Sequence, residues 1–549
     1  MRKQFGRMWA GIALLLFAFF VIFVVYPLVL VLYRSVLNND GQFSLDAFAK
    51  FFQNRYYWST LVNSFKVTFI ATFVAAALGL PMAYFFRAIE IRGRRWLNIL
   101  IIISYLSPPF IGAYAWVQLL GRSGFITKIL HAIGIPFEGI YGFSGIVLVF
   151  SLQSFPLIYM YISGALKNLD HSLIEAAESL GATTFRRMSQ VLLPLLAPTL
   201  LAGSLLVFMR VFSDFGTPML IGEGYKTFPV LIYNQFMGEV STDDHFAAAL
   251  CVIVLVIALL LFFIQTQLSR RYSYAMSALK PLQPRPAKGL RQFAAYVFIY
   301  LVIILAALPQ ITVIVTSFLE TAGGIVYTGR FSLMNYENTL GSKNNRVILN
   351  TYLFGVAAIL LIVVFGTLIA YLVARKRSKL TQLLDTLSIL PYIIPGSVLA
   401  ISFLYGFSHG TLVLSGTAAI MILALAIRRM PYTIRSTTAI IAQIHPSLEE
   451  AALSLGASPR IAFCRVVLPM MLPGIVAGAV MSWITVISEL SSSILLYTSR
   501  SQTLTVSIYS EVIRSNFGNA AAYSTVLTLT SVLSLLIFFK ISGKNDISI

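Results

Sequence analysis

The chain has 549 residues, of which 58% are hydrophobic and only 11% charged, with a mean hydropathy of +0.84. This is far more apolar than soluble domains are, so a soluble globular protein is excluded. A formal charge of +20 would suggest a nucleic-acid partner in a soluble protein, but here the cations lie between apolar runs, where membrane topology accounts for them, and no nucleic acid is expected.

Apolar runs of about 20 residues match the thickness of a bilayer's hydrocarbon at about 1.5 Å per helical residue. In chain order they predict twelve helices, starting near Trp9, Thr60, Leu97, Ser144, Leu196, Phe246, Gln292, Asn350, Gln382, Leu412, Met471 and Ala520. The first run, Trp9 to Leu32, is followed by Tyr33 and Arg34 rather than a small-residue cleavage site, so it is expected to stay as a helix. Stretches such as Val252 to Phe263 are apolar at nearly every position, which excludes the alternating strands of a membrane barrel. Cations mark one side of the predicted membrane: Arg2, Lys3 and Arg7; Arg87, Arg92, Arg94 and Arg95; Arg270, Arg271, Lys280, Arg285, Lys288 and Arg291; and Lys540 and Lys544. Acids mark the other, among them Asp40, Asp46, Glu223, Glu239, Asp243, Asp244, Glu320 and Glu337. The positive-inside pattern places both termini in the cytoplasm of a multi-pass protein of the cell (inner) membrane. Cys251 and Cys464 are the only cysteines and imply neither a disulfide framework nor a thiolate metal site.

An internal repeat divides the chain. Glu175-Ala176-Ala177-Glu178-Ser179-Leu180-Gly181-Ala182 recurs 275 positions on as Glu450-Ala451-Ala452-Leu453-Ser454-Leu455-Gly456-Ala457. The same offset relates Leu193-Pro194 to Leu468-Pro469, Pro156 to Pro431 and Ser213-Asp214 to Ser488-Glu489. Earlier landmarks shift, with Ala83-Tyr84 matching Ala370-Tyr371 and Pro109 matching Pro395, which puts extra residues in the outward loop around Gly121 to Tyr141. The expected organisation is a first six-helix half over 1–268, a cytoplasmic linker over 269–291 marked by Pro281, Pro284 and Pro286, and a second half over 292–549. Parallel repeats of this kind imply a pathway between the halves. In each half the loop between the fourth and fifth helices, 169–194 and 444–469, should carry a short helix. Glu175 or Glu450 suits its positive end, alanines smooth its face, and Gly181 or Gly456 permits the turn out of it.

The pattern Glu-Ala-Ala, with Gly six residues after the Glu and Pro thirteen later, resembles the EAA loop of permease subunits of binding-protein-dependent (type I) ABC importers. The resemblance covers both halves. It implies an all-α integral membrane protein in which Glu175, Ala176, Ala177, Gly181, Glu450, Ala451, Ala452 and Gly456 dock on the ATPase as coupling helices. The implied partners are two copies of a cytoplasmic ABC ATPase, an extracytoplasmic substrate-binding protein and the lipid bilayer. No phosphate-binding loop is present, since Gly543-Lys544 lacks the preceding glycine and the following hydroxyl. ATP and Mg are therefore expected on the partner, with no cofactor in this chain, and no catalytic site is expected: the chain reads as a transport subunit, not an enzyme.

Charges inside spans are costly and are functional candidates by default. Arg210 and Asp214, four residues apart in the fifth span, are expected on one helix face, with Ser213 beside them and Ser488 and Glu489 as their counterparts in the eleventh. These five are the candidate pathway residues; an Arg210–Asp214 pair that merely stabilises the fold is the alternative. Breaks at Pro108, Pro109, Gly112, Pro395 and Gly396 would let neighbouring spans bend around a cavity. One-chain fusions of two halves resemble the ferric-iron and thiamine permeases. The stretch Phe212 to Leu220 and the paired Thr227-Phe228-Pro229-Val230 and Thr503-Leu504-Thr505-Val506 resemble ferric-iron permeases, and also aminoalkylphosphonate ones. Membrane carboxylates suit a hard cation, whereas Arg210 would suit an anion. Ferric iron leads, with phosphonate and thiamine as alternatives and the metal ligands unknown. An ion-coupled secondary transporter is the rival from another class, with too few intramembrane charges for an evident relay.

Overall fold

The structure, a computed structural model, describes residues 7–38, 40–106, 108–170, 172–238, 243–271, 284, 286, 289–324, 326–341 and 345–542. Among them, nine helices are long and apolar enough to cross a membrane, or up to eleven if each of two bent pairs is one span. The helix Ala418–Gln443 supplies the remaining expected span: its 26 residues suffice in length, but Arg428, Arg429 and Arg435 interrupt its apolar text. Each of the twelve predicted runs thus has its helix or bent pair.

The bends fall where proline interrupts the text. Lys379–Ile393 and Gly396–Phe407 meet at 111°, with Pro395 as N-cap of the second piece. The first half has Arg94–Leu106 followed by Pro109–Leu120, whose N-cap is Pro108. Pro108 and Pro395 thus hold equivalent N-cap places, whereas the sequence comparison sets Pro109 against Pro395. The only sheet among the described residues is an antiparallel hairpin, Leu319–Ala322 with Val326–Phe331, in a loop predicted to face outward. Near the other predicted outward loops, burial opposes ionisation of Asp243, but bonds from the Phe246 amide (3.0 Å) and Lys50 Nζ (3.0 Å) hold its carboxyl below the ordinary carboxylate range.

Packing divides the chain into two compact units, and neither is a contiguous stretch of sequence. One unit comprises Met1–Phe51, Ile232–Leu255 and Thr316–Lys544. Within it the first helical run, Arg7–Ser35, lies along helices of the second half: Phe19 meets Phe365 edge-on at 4.9 Å, Phe23 meets Phe407 at 5.5 Å, and Pro27 fills the space beside Gly406. Ala418–Gln443 and Leu468–Ile487 approach closely, since a Cβ on Gly478 would stand 2.5 Å from Thr433 Cα. Such small-residue contacts bring membrane helices together where hydrophobic driving force is absent.

The other unit holds Phe52–Leu231 and Val256–Val315. Arg55–Ala88 and Phe143–Lys167 form its spine, with Gly79 giving way to Ile158 and Phe155. The helix Leu290–Ser317 contributes Ala295, Ile299, Val302, Ile303 and Ala306 to the same core. Packing therefore follows a different division from the repeat. The linker expected at 269–291 lies largely outside the described residues.

Candidate functional site

Both Glu-Ala-Ala segments form short helices, Ser172–Ser179 and Ser447–Ser454, with Glu175 and Glu450 in their first turns. They end in the same way. Gly181 (φ +78°) and Gly456 (φ +88°) take the left-handed conformation that β-carbons disfavour. Around each glycine two bonds close the helix: Gly181 N to Glu178 O (2.9 Å) with Ala182 N to Ala177 O (3.0 Å), and Gly456 N to Leu453 O (3.0 Å) with Ala457 N to Ala452 O (3.0 Å). This double cap satisfies carbonyls that a helix end otherwise leaves open. It also turns one leucine of each loop outward, Leu180 at 88% exposure and Leu455 at 90%. Ala176 and Ala451 are exposed, and Ala177 and Ala452 half-buried, so the two loops present matching surfaces. The two leucines stand at matched positions of the repeat, and the sequence reading passed over both.

Each loop then runs into the next membrane helix without a break. A π turn, Arg187–Leu192 or Phe463–Val467, precedes Leu193-Pro194 or Leu468-Pro469. The prolines thus sit within a continuous helical rod rather than at its free start, and the widened turn accommodates their missing N–H groups.

The candidate pathway residues are placed differently from the expectation. The helix Leu193–Phe212 ends before Asp214, so Arg210 and Asp214 do not share a helix face. Asp214 accepts from Thr217 N at 2.9 Å at the start of the helix Gly216–Ile221, a placement that suits a short acidic side chain. Arg210 lies over the Tyr105 ring at 4.5 Å. Ser213 closes its helix as C-cap, and Ser488 Oγ donates to Ile484 O at 2.7 Å.

Glu489 lies just beyond Leu468–Ile487, 3% exposed, and ion-pairs with both Arg428 and Arg429 of the helix Ala418–Gln443. Ser492 adds its N–H and hydroxyl at 3.2 Å each, and the Thr505 hydroxyl donates to the Glu489 carbonyl at 2.8 Å. Gly396 makes room for Arg428, whose guanidinium occupies the space of a β-carbon there. Two guanidinium groups on one carboxylate leave this cluster net positive. Glu489 is thereby engaged, and the expectation that membrane carboxylates here suit a hard cation does not hold for it. The sequence reading missed both arginines; an acid buried in a span needs a cation, and that requirement pointed to them. Among the described residues no three His, Cys, Asp or Glu side chains gather as a metal site.

The sequence matches a family described as binding-protein-dependent transport system inner membrane component twice, over residues 75–274 and 362–543. The ferric transport system permease protein FbpB of Actinobacillus pleuropneumoniae is 28% identical over 548 residues, covering 98% of this chain and 78% of that protein. The putative 2-aminoethylphosphonate transport system permease protein PhnU of Salmonella typhimurium is 26% identical over 242 residues, 43% of this chain and 84% of its own. A bacterial alginate ABC transporter, crystallised with an alginate pentasaccharide-bound periplasmic protein, aligns with a TM-score of 0.41 at 18% identity, covering 50% of this chain and 98% of that one.

Proposed function

From the premise that this chain belongs to the family of binding-protein-dependent transport system inner membrane components, as a fused two-half ABC importer permease and not an enzyme, we propose that it passes ferric iron into the cytoplasm. An extracytoplasmic binding protein delivers the cargo, and two copies of a cytoplasmic ATPase, holding ATP and Mg, drive the passage. Both termini and both Glu-Ala-Ala loops face the cytoplasm of an inner membrane. The observation that carries the coupling role is the duplicated loop: two short helices, capped alike and each followed by an outward leucine, Leu180 or Leu455, with Glu175, Ala176, Ala177, Gly181 and Glu450, Ala451, Ala452, Gly456 at equivalent places. A small-faced helix with a protruding apolar residue suits a groove on a partner. Iron is favoured by a ferric permease whose similarity extends over 98% of this chain.

Glu489 serves here as the anchor of Arg428 and Arg429, not as an iron ligand. Their net positive charge supports a second reading, an aminoalkylphosphonate or other anionic cargo, in line with the likeness to PhnU. The test is uptake into proteoliposomes holding the permease, its ATPase and its binding protein. Ferric iron should enter only with ATP, and Glu175→Ala combined with Glu450→Ala should abolish entry with the protein still in the membrane. Uptake of 2-aminoethylphosphonate but not iron would move the assignment to the second reading, and uptake on a proton gradient alone would refute the importer.

A further inference from the structure

The second coupling helix is fastened to a membrane helix by a buried ionic contact. Glu449, directly before the Glu-Ala-Ala segment, is buried. Its Oε1 accepts from the Tyr371 hydroxyl at 2.6 Å and from Lys376 Nζ at 3.0 Å. Both donors belong to the last turn of the helix Asn345–Arg375 or the residue just past it. Beside them Arg375 donates to the Ile444 carbonyl at 2.5 Å, at the end of Ala418–Gln443 where the loop begins. The Tyr371 ring is wedged between Trp9 and Phe463, with centroids 4.7 Å from each, and Phe463 opens the π turn that follows the coupling helix. One helix end thus grips the loop before, at and after its short helix.

The first loop has an ion pair of its own, Arg187 with Glu178 at 2.8 Å, but an apolar residue at the place of Glu449. The repeat sets Tyr84 against Tyr371, but Ala88 against Arg375, Ile89 against Lys376 and Ile174 against Glu449. Ile89 is buried in the apolar core of its unit, and Tyr84, Ala88 and Ile174 pack on that core. Apolar contact is non-directional and tolerates sliding. A buried carboxylate held by a cation and a hydroxyl has a fixed geometry, and moving it away strands a charge in a low dielectric.

We infer that Glu449 is a positioning residue for transport: with Tyr371 and Lys376 it locks the second coupling helix to Asn345–Arg375, so that a push on this loop moves that membrane helix as one body. The second loop thereby acts as a rigid arm. This rests on the coupling role proposed above and adds the residue that makes one arm stiff.

The test uses the full permease with its ATPase and binding protein in proteoliposomes, measuring ATP hydrolysis and cargo uptake in the same vesicles. The quantity read is cargo transported per ATP. Glu449→Gln and Lys376→Met should each lower it about fivefold or more, the span of a typical coupling between sites, while hydrolysis continues. Lys376→Arg should restore it, and Tyr371→Phe, the mildest change, should move it in the same direction as Glu449→Gln. A merely structural role lowers uptake and hydrolysis together through the amount of folded protein. An unchanged ratio in Glu449→Gln and Lys376→Met would overturn the inference, and if both fail to fold, an unchanged ratio in Tyr371→Phe would do so. Failure of the underlying reading shows separately: the wild-type permease would then retain no ATPase, or the Glu175→Ala/Glu450→Ala variant would transport normally.

Discussion

Glu489 and the two arginines it holds set the energetic scale for single residues in this membrane protein. Removing one partner from a buried ion cluster leaves an uncompensated charge, at a cost of about 3–5 kcal/mol. Glu489→Ala should therefore lower the unfolding temperature in detergent sharply, more than Asp214→Ala, because Asp214 is half-buried and accepts from a backbone amide. At Gly181 and Gly456 the cost is steric. An alanine in the left-handed conformation is worth roughly 1–2 kcal/mol, so Gly181→Ala or Gly456→Ala should loosen its loop and raise proteolytic cleavage there without removing the protein from the membrane. The glycines were legible because the repeat shows them twice. The repeat gives no such signal for Arg428, Arg429 and Glu449, whose counterparts Gln153, Ser154 and Ile174 carry no charge. What stabilises each half is partly private to it, and a repeat reveals only what the halves share.

Two elements recur in both halves, the bent span and the Glu-Ala-Ala loop. The bends could be anticipated from Pro108-Pro109 and Pro395, because proline disfavours helix in the residue before it and starts a helix well. The π turns before Pro194 and Pro469 could not, because the sequence rule tolerates proline at a helix start and says nothing of a rod that continues behind it. Likewise the loops' helices follow from Glu-Ala-Ala and Gly, but the outward leucines depend on the cap geometry. Burying a leucine on a partner is worth about 1.5–3 kcal/mol. Leu180→Ser with Leu455→Ser should thus weaken retention of the ATPase by at least about tenfold, measured by copurification in detergent, with membrane insertion unchanged.

For the whole molecule, the positions of the spans, nine or up to eleven among the described residues by length and apolarity, were legible from hydropathy, since these are what a bilayer selects. How they pack was not, because a helix that is apolar all round does not announce its neighbour. The run Arg7–Ser35 packs in the unit that holds most of the second half, with Trp9 buried beside Tyr371 and Phe463. Trp9→Ala should accordingly cost roughly 3–5 kcal/mol, visible as a lower unfolding temperature, even though Trp9 lies more than 300 positions from Tyr371. In the proposed reading two cytoplasmic loops of one polypeptide receive the stroke of an ATPase, and photo-cross-linkers placed at Leu180 and Leu455 in sealed vesicles of known orientation put this to the test. Both positions should capture a nucleotide-binding ATPase on the cytoplasmic face, and capture should change when ATP is bound. Labelling of either position from the outer face, or capture of no ATPase at both, would contradict it.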